Sequence, residues 1–564
     1  MTKATDTVSL ECRFATFCKS NKDDSDLHVV KEVRVDSEGK SHPQLRFIKD
    51  FERPYWLVQK GLRNYKEQKE WMPLSDLIEY RCTQSQLTNH IKKNLGVGWT
   101  KQSLRDLKEN IYIFGADITS TSLIKREYHR KYNTFTPFTN AVGDTETDMI
   151  YGHGEIQMAT ISQKERVYTV IKKEFVEGQA DVINRIKALA KTHIGDVITA
   201  RNIEIDIEIV DTEIDVVRKW FAKAHKWKPD FFSFWNVAFD INKVLEACKR
   251  AGVDPTDIFC DPSVPHEYRS FNWKEGPAKK VTASGVVMSY KPSQRWHTLT
   301  APASFYIVDA MCAYRYIRMG KPEEKSYALD YLLYKNLKIT KLKFVEASKY
   351  KGADWHRYMQ RYHPLEYVVY NIFDCVSMEM LDEKTRDLQL QLPLMSRYAD
   401  FRNFNSQPQK VVVDLHYHLI EKENCVIAMT SGEMKTDMDS DTVSASNWIT
   451  MLPQERVVDN GLKCLTELGD MRTLLRAHAG DLDVTGAYPS NGQALNLSKE
   501  TTSKEITSIE DVDDNTARMM TLNISAGRTN AIEIAQHLFG LPGLDDWAQA
   551  FEEDCARQDA AALT

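Results

Sequence analysis

Three short acidic blocks hold the residue types that could do chemistry. Ala141-Val142-Gly143-Asp144-Thr145-Glu146-Thr147 comes first, Trp235-Asn236-Val237-Ala238-Phe239-Asp240 second, and Tyr370-Asn371-Ile372-Phe373-Asp374 third. Each offers carboxylates that one folded site could collect. Four carboxylates and a tyrosine are what a two-metal phosphodiester hydrolase needs. In such a site two divalent cations about 3.5–4 Å apart stabilise the attacking and leaving oxygens of an in-line displacement. Hard cations such as Mg2+ or Mn2+ demand oxygen ligands, so Asp and Glu suit them better than Cys or His.

Elements must carry these side chains. The first block reads as the close of a strand, followed by strands over 156–161 and 166–171 joined by the polar turn Ser162-Gln163-Lys164-Glu165. Helical character is expected over 181–192. Asn202 to Ile209 then alternates strictly between polar residues and isoleucine, the pattern of a strand. Ile214, Val217, Trp220, Phe221 and Ala224 lie at helical spacing, and Phe231 to Trp235 reads as a buried strand leading into the second block. The third block sits in an apolar-rich helix, where Tyr370 and Asp374, four apart, share one face. Between the second and third blocks, 281–290 reads as a hairpin broken at Ser284-Gly285 or as a surface loop. Upstream, strands over 29–35 and 45–48 and helical stretches over 75–82 and 85–95 suggest a small α+β module.

Asp-x-Glu alone carries little information, because Asp50-Phe51-Glu52, Asp206-Ile207-Glu208 and Asp211-Thr212-Glu213 repeat it. Asp206 falls on the polar face of the alternating strand and reads as solvated. Asp211 to Glu213 opens a helix, where acids favour the positive end and Asp can cap. Position selects Asp144 and Glu146. Asn236 and Asp240 each have a bland alternative, a helix cap and a surface acid, as does Asp374 on its helix. Asp309, at the end of an apolar strand, reads as structural.

Asp-x-Glu, Asn-x-x-Phe-Asp and Tyr-x-x-x-Asp, in that order, resemble the proofreading 3′→5′ exonuclease motifs of family B DNA polymerases, above all the replicative enzymes of T-even-type bacteriophages. A fourth block, Asp483-Val484-Thr485-Gly486-Ala487-Tyr488-Pro489-Ser490, resembles the first polymerase motif of that family, although Gly486-Ala487 replaces the usual Ser-Leu. The resemblance implies a ribonuclease-H-like α/β exonuclease domain over 138–389. It also implies an N-terminal α+β domain over 1–137, completed by about 390–444, and a partial palm with a helical tail over 445–564. It implies that Asp144, Glu146, Asp240 and Asp374 hold two Mg2+ or Mn2+ ions, that Tyr370 orients the attacking water, and that Asn236 and Phe239 contact the primer end. Asp483 would be a catalytic, metal-binding palm acid, and Tyr488 would bind the incoming nucleotide. No fingers block and no second palm acid follow Asp483 in the sequence. The expectation is therefore the N-terminal part of a split or truncated polymerase. Its partners would be primer-template and single-stranded DNA, deoxynucleoside triphosphates with a complementary polymerase chain, and a sliding clamp. The alternatives are a stand-alone exonuclease and a non-catalytic replisome scaffold.

Composition sets few limits. Among 564 residues, 42% are hydrophobic and 27% charged, an ordinary globular balance, and the net charge of −6 gives no global nucleic-acid signal. The ten cysteines form no C-x-x-C pair, which argues against structural zinc and for free thiols. No apolar run reaches about 18 residues and the start lacks a signal-peptide core, so a cytoplasmic protein without membrane partners is expected.

Overall fold

The computed structural model describes residues 7–63, 69–96, 103–107, 110–132, 134–281, 286–429, 502–511, 518–526 and 529–530. The chain divides into two compact units, 1–442 and 443–564. The first is built of helices and sheets, and the chain is a mixed α/β protein. In the second unit the described residues form a three-stranded antiparallel sheet of Thr502–Asp511, Arg518–Ala526 and Thr529–Asn530. Asp483 and Tyr488 lie outside the described residues. The expected helical tail also falls outside them, apart from Asn530, which ends a short strand.

The first unit is organised around a six-stranded mixed sheet. Its strands are β1 (Asn140–Thr147), β2 (Ile156–Gln163), β3 (Arg166–Lys172), β4 (Glu204–Val210), β5 (Phe231–Phe234) and β6 (Tyr306–Asp309), in the order β4-β3-β2-β1-β5-β6. β1, β2 and β3 run antiparallel in succession, whereas β4 is parallel to β3, and β5 and β6 are parallel to β1. Helices cover both faces. On one lie α2 (Glu213–Trp227) and α3 (Val237–Ala251), packed on Ala141, Ile161, Tyr168 and Phe232. On the other lie α1 (Val182–Arg201) and α4 (Pro364–Thr385), packed on Met158, Val167 and Ile171. β5, paired on both sides and covered on both faces, is three phenylalanines and Ser233, all four buried, as suits a central parallel strand.

Local sequence explains most of these elements. The Asn202–Ile209 alternation becomes β4, with Ile205 and Ile207 buried and Glu204 and Asp206 exposed. α2 buries Val216, Val217, Trp220, Phe221 and Ala224, and its N-cap is Thr212, which accepts from the Asp215 amide at 3.3 Å, rather than Asp211. α1 runs to Arg201, past the expected end at Thr192, with a break in helical geometry at Ile194. The hairpin forms from Lys279–Val281 and Val287–Ser289, while residues 282–285 lie outside the described residues. One expectation fails. Leu77–Cys82, within the stretch expected to be helical, is a strand paired with Arg53–Val58, burying Leu77 and Cys82 at its ends. A neighbouring strand with free backbone groups outweighs the local charge, which carries no 3.6-residue apolar period.

The N-terminal antiparallel sheet (Thr7–Lys19, Asp26–Asp36, Ser41–Lys49) is tied to the central sheet by Lys31. Its fully buried ammonium donates to the carbonyls of Lys228 and Ser304, both at 2.7 Å, beside the starts of β5 and β6. Residues beyond 390 return to the N-terminal region, where Cys425–Ile427 pairs with Trp71–Pro73 and Lys125 donates to the Ala399 carbonyl. No helix among the described residues is long and apolar enough to cross a membrane.

Gly143 sets how closely α2 approaches β1. A Cβ there would lie 2.6 Å from the Phe232 ring and 2.8 Å from the Trp220 indole. Trp220 has no room to retreat, because its Nε1 donates to the Thr160 carbonyl at 2.9 Å. Gly143→Ala should therefore cost about 1–3 kcal/mol through overpacking. An equilibrium denaturation midpoint equal to the parent's would refute this account of the contact.

Candidate metal centre

β1 and α4 bring the first and third blocks together. Asp144 and Glu146, two apart on β1, point to one face of the sheet. α4 lies across that face, with Tyr370 and Asp374 on successive turns. One ligand oxygen from each of Asp144, Glu146 and Asp374 falls within 4.8 Å of the others. Asp240 joins from the opposite side. It sits in the first turn of α3, is buried, and its Oδ1 accepts from the Thr145 amide at 3.0 Å and the Thr145 hydroxyl at 2.7 Å. Asp240 thus borders the triad and repels Asp144 without entering it.

Within the second block Val237 joins the core and Trp235 packs against it, whereas two residues face outward. Asn236 precedes α3 without a side-chain capping bond, and both it and Phe239 are exposed. The cap is Asp309, whose Oδ2 accepts from the Val237 amide at 3.0 Å and whose Oδ1 accepts from the Cys312 amide at 2.7 Å. One buried carboxylate therefore starts two helices, the structural role its place at a strand end suggests.

Lys341 was not legible as a site residue. Its ammonium donates to Asp374 Oδ2 at 2.6 Å and to the Tyr370 hydroxyl at 3.0 Å. It lies in the loop that follows the 329–337 helix, in Lys341-Leu342-Lys343-Phe344, where no spacing marks it. Its only sequence signal is a lysine among apolar residues, Leu342 and Ile339, that pack into the core beside α4. Three more side chains complete the centre. The Tyr367 hydroxyl donates to Glu146 Oε2 and meets His356 Nδ1 at 2.7 Å, and Asn371 Nδ2 donates to Asp144 Oδ2 at 2.7 Å.

The rival acids stand elsewhere. Asp206 is paired with Lys223 at 2.9 Å, and Glu208 with Lys219 at 2.7 Å and the Tyr168 hydroxyl at 2.6 Å, all on the outward face of β4. Glu213 accepts from the Ile156 amide and from Arg250, an element-to-element tie.

Burial and mutual repulsion dominate the electrostatics. Asp144 is held well above the usual carboxylate range by burial, then by Asp240, Glu146 and Asp374. Burial pushes Glu146 up to about 8 against the opposing hydrogen bond from Tyr367, and Asp240 up to about 7 against those from Thr145. Asp374 is raised by burial, with Lys341 resisting. Burial pulls Lys341 down, but Asp374 and Tyr370 outweigh it and the net shift is upward. One ammonium does not balance four acids. Asp374 Oδ1 is buried without a hydrogen-bond partner. An all-oxygen donor set, excess negative charge and an unpartnered ligand oxygen fit a hard divalent cation.

No family model and no curated protein matches the chain. The geometry makes its own prediction. Unfolded carboxylates titrate near ~4, whereas Glu146 and Asp240 titrate toward about 8 and 7 when folded. These two carboxylates therefore hold more protons in the metal-free fold than in the unfolded chain in that window, and the stability they contribute should fall as pH rises from about 4.5 to 8. A divalent cation replaces those protons, so Mn2+ should raise the melting temperature more at pH 8 than at pH 5. Thermal melts at both values check this, and an equal rise at both would contradict it.

Proposed function

We propose that the protein is a metal-dependent 3′→5′ exonuclease acting on single-stranded DNA ends, of the proofreading kind found in family B DNA polymerases. The observation that carries this reading is the convergence of Asp144, Glu146 and Asp374, from motifs far apart in sequence, with Tyr370 one turn before Asp374 and Asp240 at the border. The ribonuclease-H-like fold is part of the proposal. It is supported by three antiparallel strands, β1 to β3, followed by β5 and β6 parallel to β1.

Asp144, Glu146 and Asp374, with Asp240 beside them, would hold Mg2+ or Mn2+. Cations there would supply positive charge to the reacting phosphate and ease deprotonation of the attacking water. Tyr370, steadied by Lys341, offers its hydroxyl to orient that water. Exposed Phe239 offers a ring for stacking on the terminal base, and Asn236 offers hydrogen bonds to it. The product is a deoxynucleoside monophosphate. The polymerase half of the reading, with Asp483, Tyr488, bound nucleotide, clamp and complementary chain, rests on sequence resemblance.

Asp144→Ala with Glu146→Ala should abolish degradation of a 3′-end single-stranded DNA substrate, while Asp206→Ala with Glu208→Ala leaves it within a few-fold of the parent. Equal loss from both pairs would sink the assignment. Tyr370→Phe keeps the ring and removes the hydroxyl. Groups that position reacting protons contribute roughly 10²–10⁴-fold, so turnover should drop by about 10²-fold or more with the melting temperature little changed. A parent-like rate would exclude this role for Tyr370.

A further inference from the structure

The face of α4 over β1 carries more than Tyr370 and Asp374. Tyr367 and Asn371 are four residues apart on the helix, a rise of about 6 Å. Glu146 and Asp144 are two apart on the strand, about 6.6 Å. The two rises nearly match, so Tyr367 lies over Glu146 while Asn371 lies over Asp144. Each pair is joined by one hydrogen bond to one carboxylate oxygen: Glu146 Oε2 accepts from Tyr367, and Asp144 Oδ2 from Asn371. Lys341 does the same to Asp374 Oδ2. Every acid of the triad thus has one oxygen held by a protein donor. The Tyr367 hydroxyl is itself fixed. Its hydrogen goes to Glu146, so its oxygen accepts from His356 Nδ1–H. The ring lies fully buried, stacked on Tyr370 with centroids 5.9 Å apart.

We propose that Tyr367 and Asn371 are positioning residues, each immobilising one oxygen of a ligand carboxylate so that its other oxygen is aimed at the cation site. This rests on the reading of Asp144, Glu146 and Asp374 as cation ligands. A carboxylate in a buried site can turn about its last torsion, and two donors from one rigid helix remove that freedom for both acids of β1 at once. Partners of this type set ligand orientation and typically account for 10–100-fold in metal affinity.

The test uses the full chain and Mn2+ alone, with binding followed by calorimetry. Tyr367→Phe should weaken Mn2+ binding about 10–100-fold with the metal-free melting temperature nearly unchanged. Asn371→Leu, similar in shape but without a donor, should do likewise and serves should the first variant misfold. A merely structural role would not produce the key result. In a Glu146→Gln background, Tyr367→Phe should cost nothing further, because its effect passes through that carboxylate. Parent-like affinity in both single variants, or additive losses in the double variant, would overturn the proposal. Its fate is separable from that of the exonuclease reading. Undiminished Mn2+ affinity in both single variants, with DNA degradation still dependent on Asp144 and Glu146, would reject only the positioning role. Tyr367-dependent Mn2+ binding in a protein that degrades no DNA would reject only the nuclease.

Discussion

Burying like charges together is the constraint on which the rest of the first unit depends. Asp240 and Asp374 are buried, and Asp144 and Glu146 partly buried, at the junction of β1, α3 and α4, and burial raises all four. Carboxylates in such a place neutralise, pair or bind a cation. Here the first two are in use, with protons held more tightly and Lys341 paired with Asp374, and an oxygen of Asp374 is left without a partner. A site of this kind survives only where surrounding packing holds the acids together against their repulsion.

That packing is supplied from both faces of the sheet. α2 presses on Gly143 through Trp220, while α4 meets β1 through contacts that include Val142 with Cys375. The strand bearing two of the acids is clamped between them. Asp309 holds the start of α3, and so Asp240, by capping from the end of β6. Lys31 then fastens the N-terminal sheet to the same end of β5 and β6. Few of these ties are strong alone. Together they fix the relative placement of three elements whose separate drift by an ångström would scatter the ligand oxygens.

What could be read from the sequence divides along physical lines. Periodicity is a local property, so β2, β3, β4, α2 and β5 were legible, as was the shared face of Tyr370 and Asp374. Asp144 and Glu146 were distinguishable from their rivals by order along the chain. Long-range partners leave no local mark. Lys341 reaches Asp374 from a loop, and Asp309 caps a helix 72 residues away in sequence. Leu77–Cys82 was misread because its pairing with Arg53–Val58, and not its own composition, makes it a strand. Asn371 was in plain sight inside the third block, yet its donor role depends on the near match between helix and strand rise, visible only once α4 crosses β1. Asp240 was read as a ligand with the others, and the hydrogen bonds of its Oδ1 to Thr145, on the far face of β1, left no mark in the sequence.

The contrast between two Asp-x-Glu tripeptides shows why position in the sheet, and not the motif, decides what the acids do. Asp206 and Glu208 are on β4, the edge strand, where water and the lysines of α2 reach them, so both are satisfied as ordinary surface ion pairs. Asp144 and Glu146 are on β1, an inner strand that pairs with β5 at Asn140–Val142 and with β2 at the acids themselves, and α4 lies over their face. Identical functional groups two residues apart therefore face opposite problems. At the edge, solvent screens them and their pairing contributes little. In the centre, donors must be brought by the fold, and those from α4 and Lys341 engage only one oxygen of each triad acid. The charge left uncompensated at the centre of the sheet is the physical property that a divalent cation would answer, and no other cluster of acids among the described residues has its geometry.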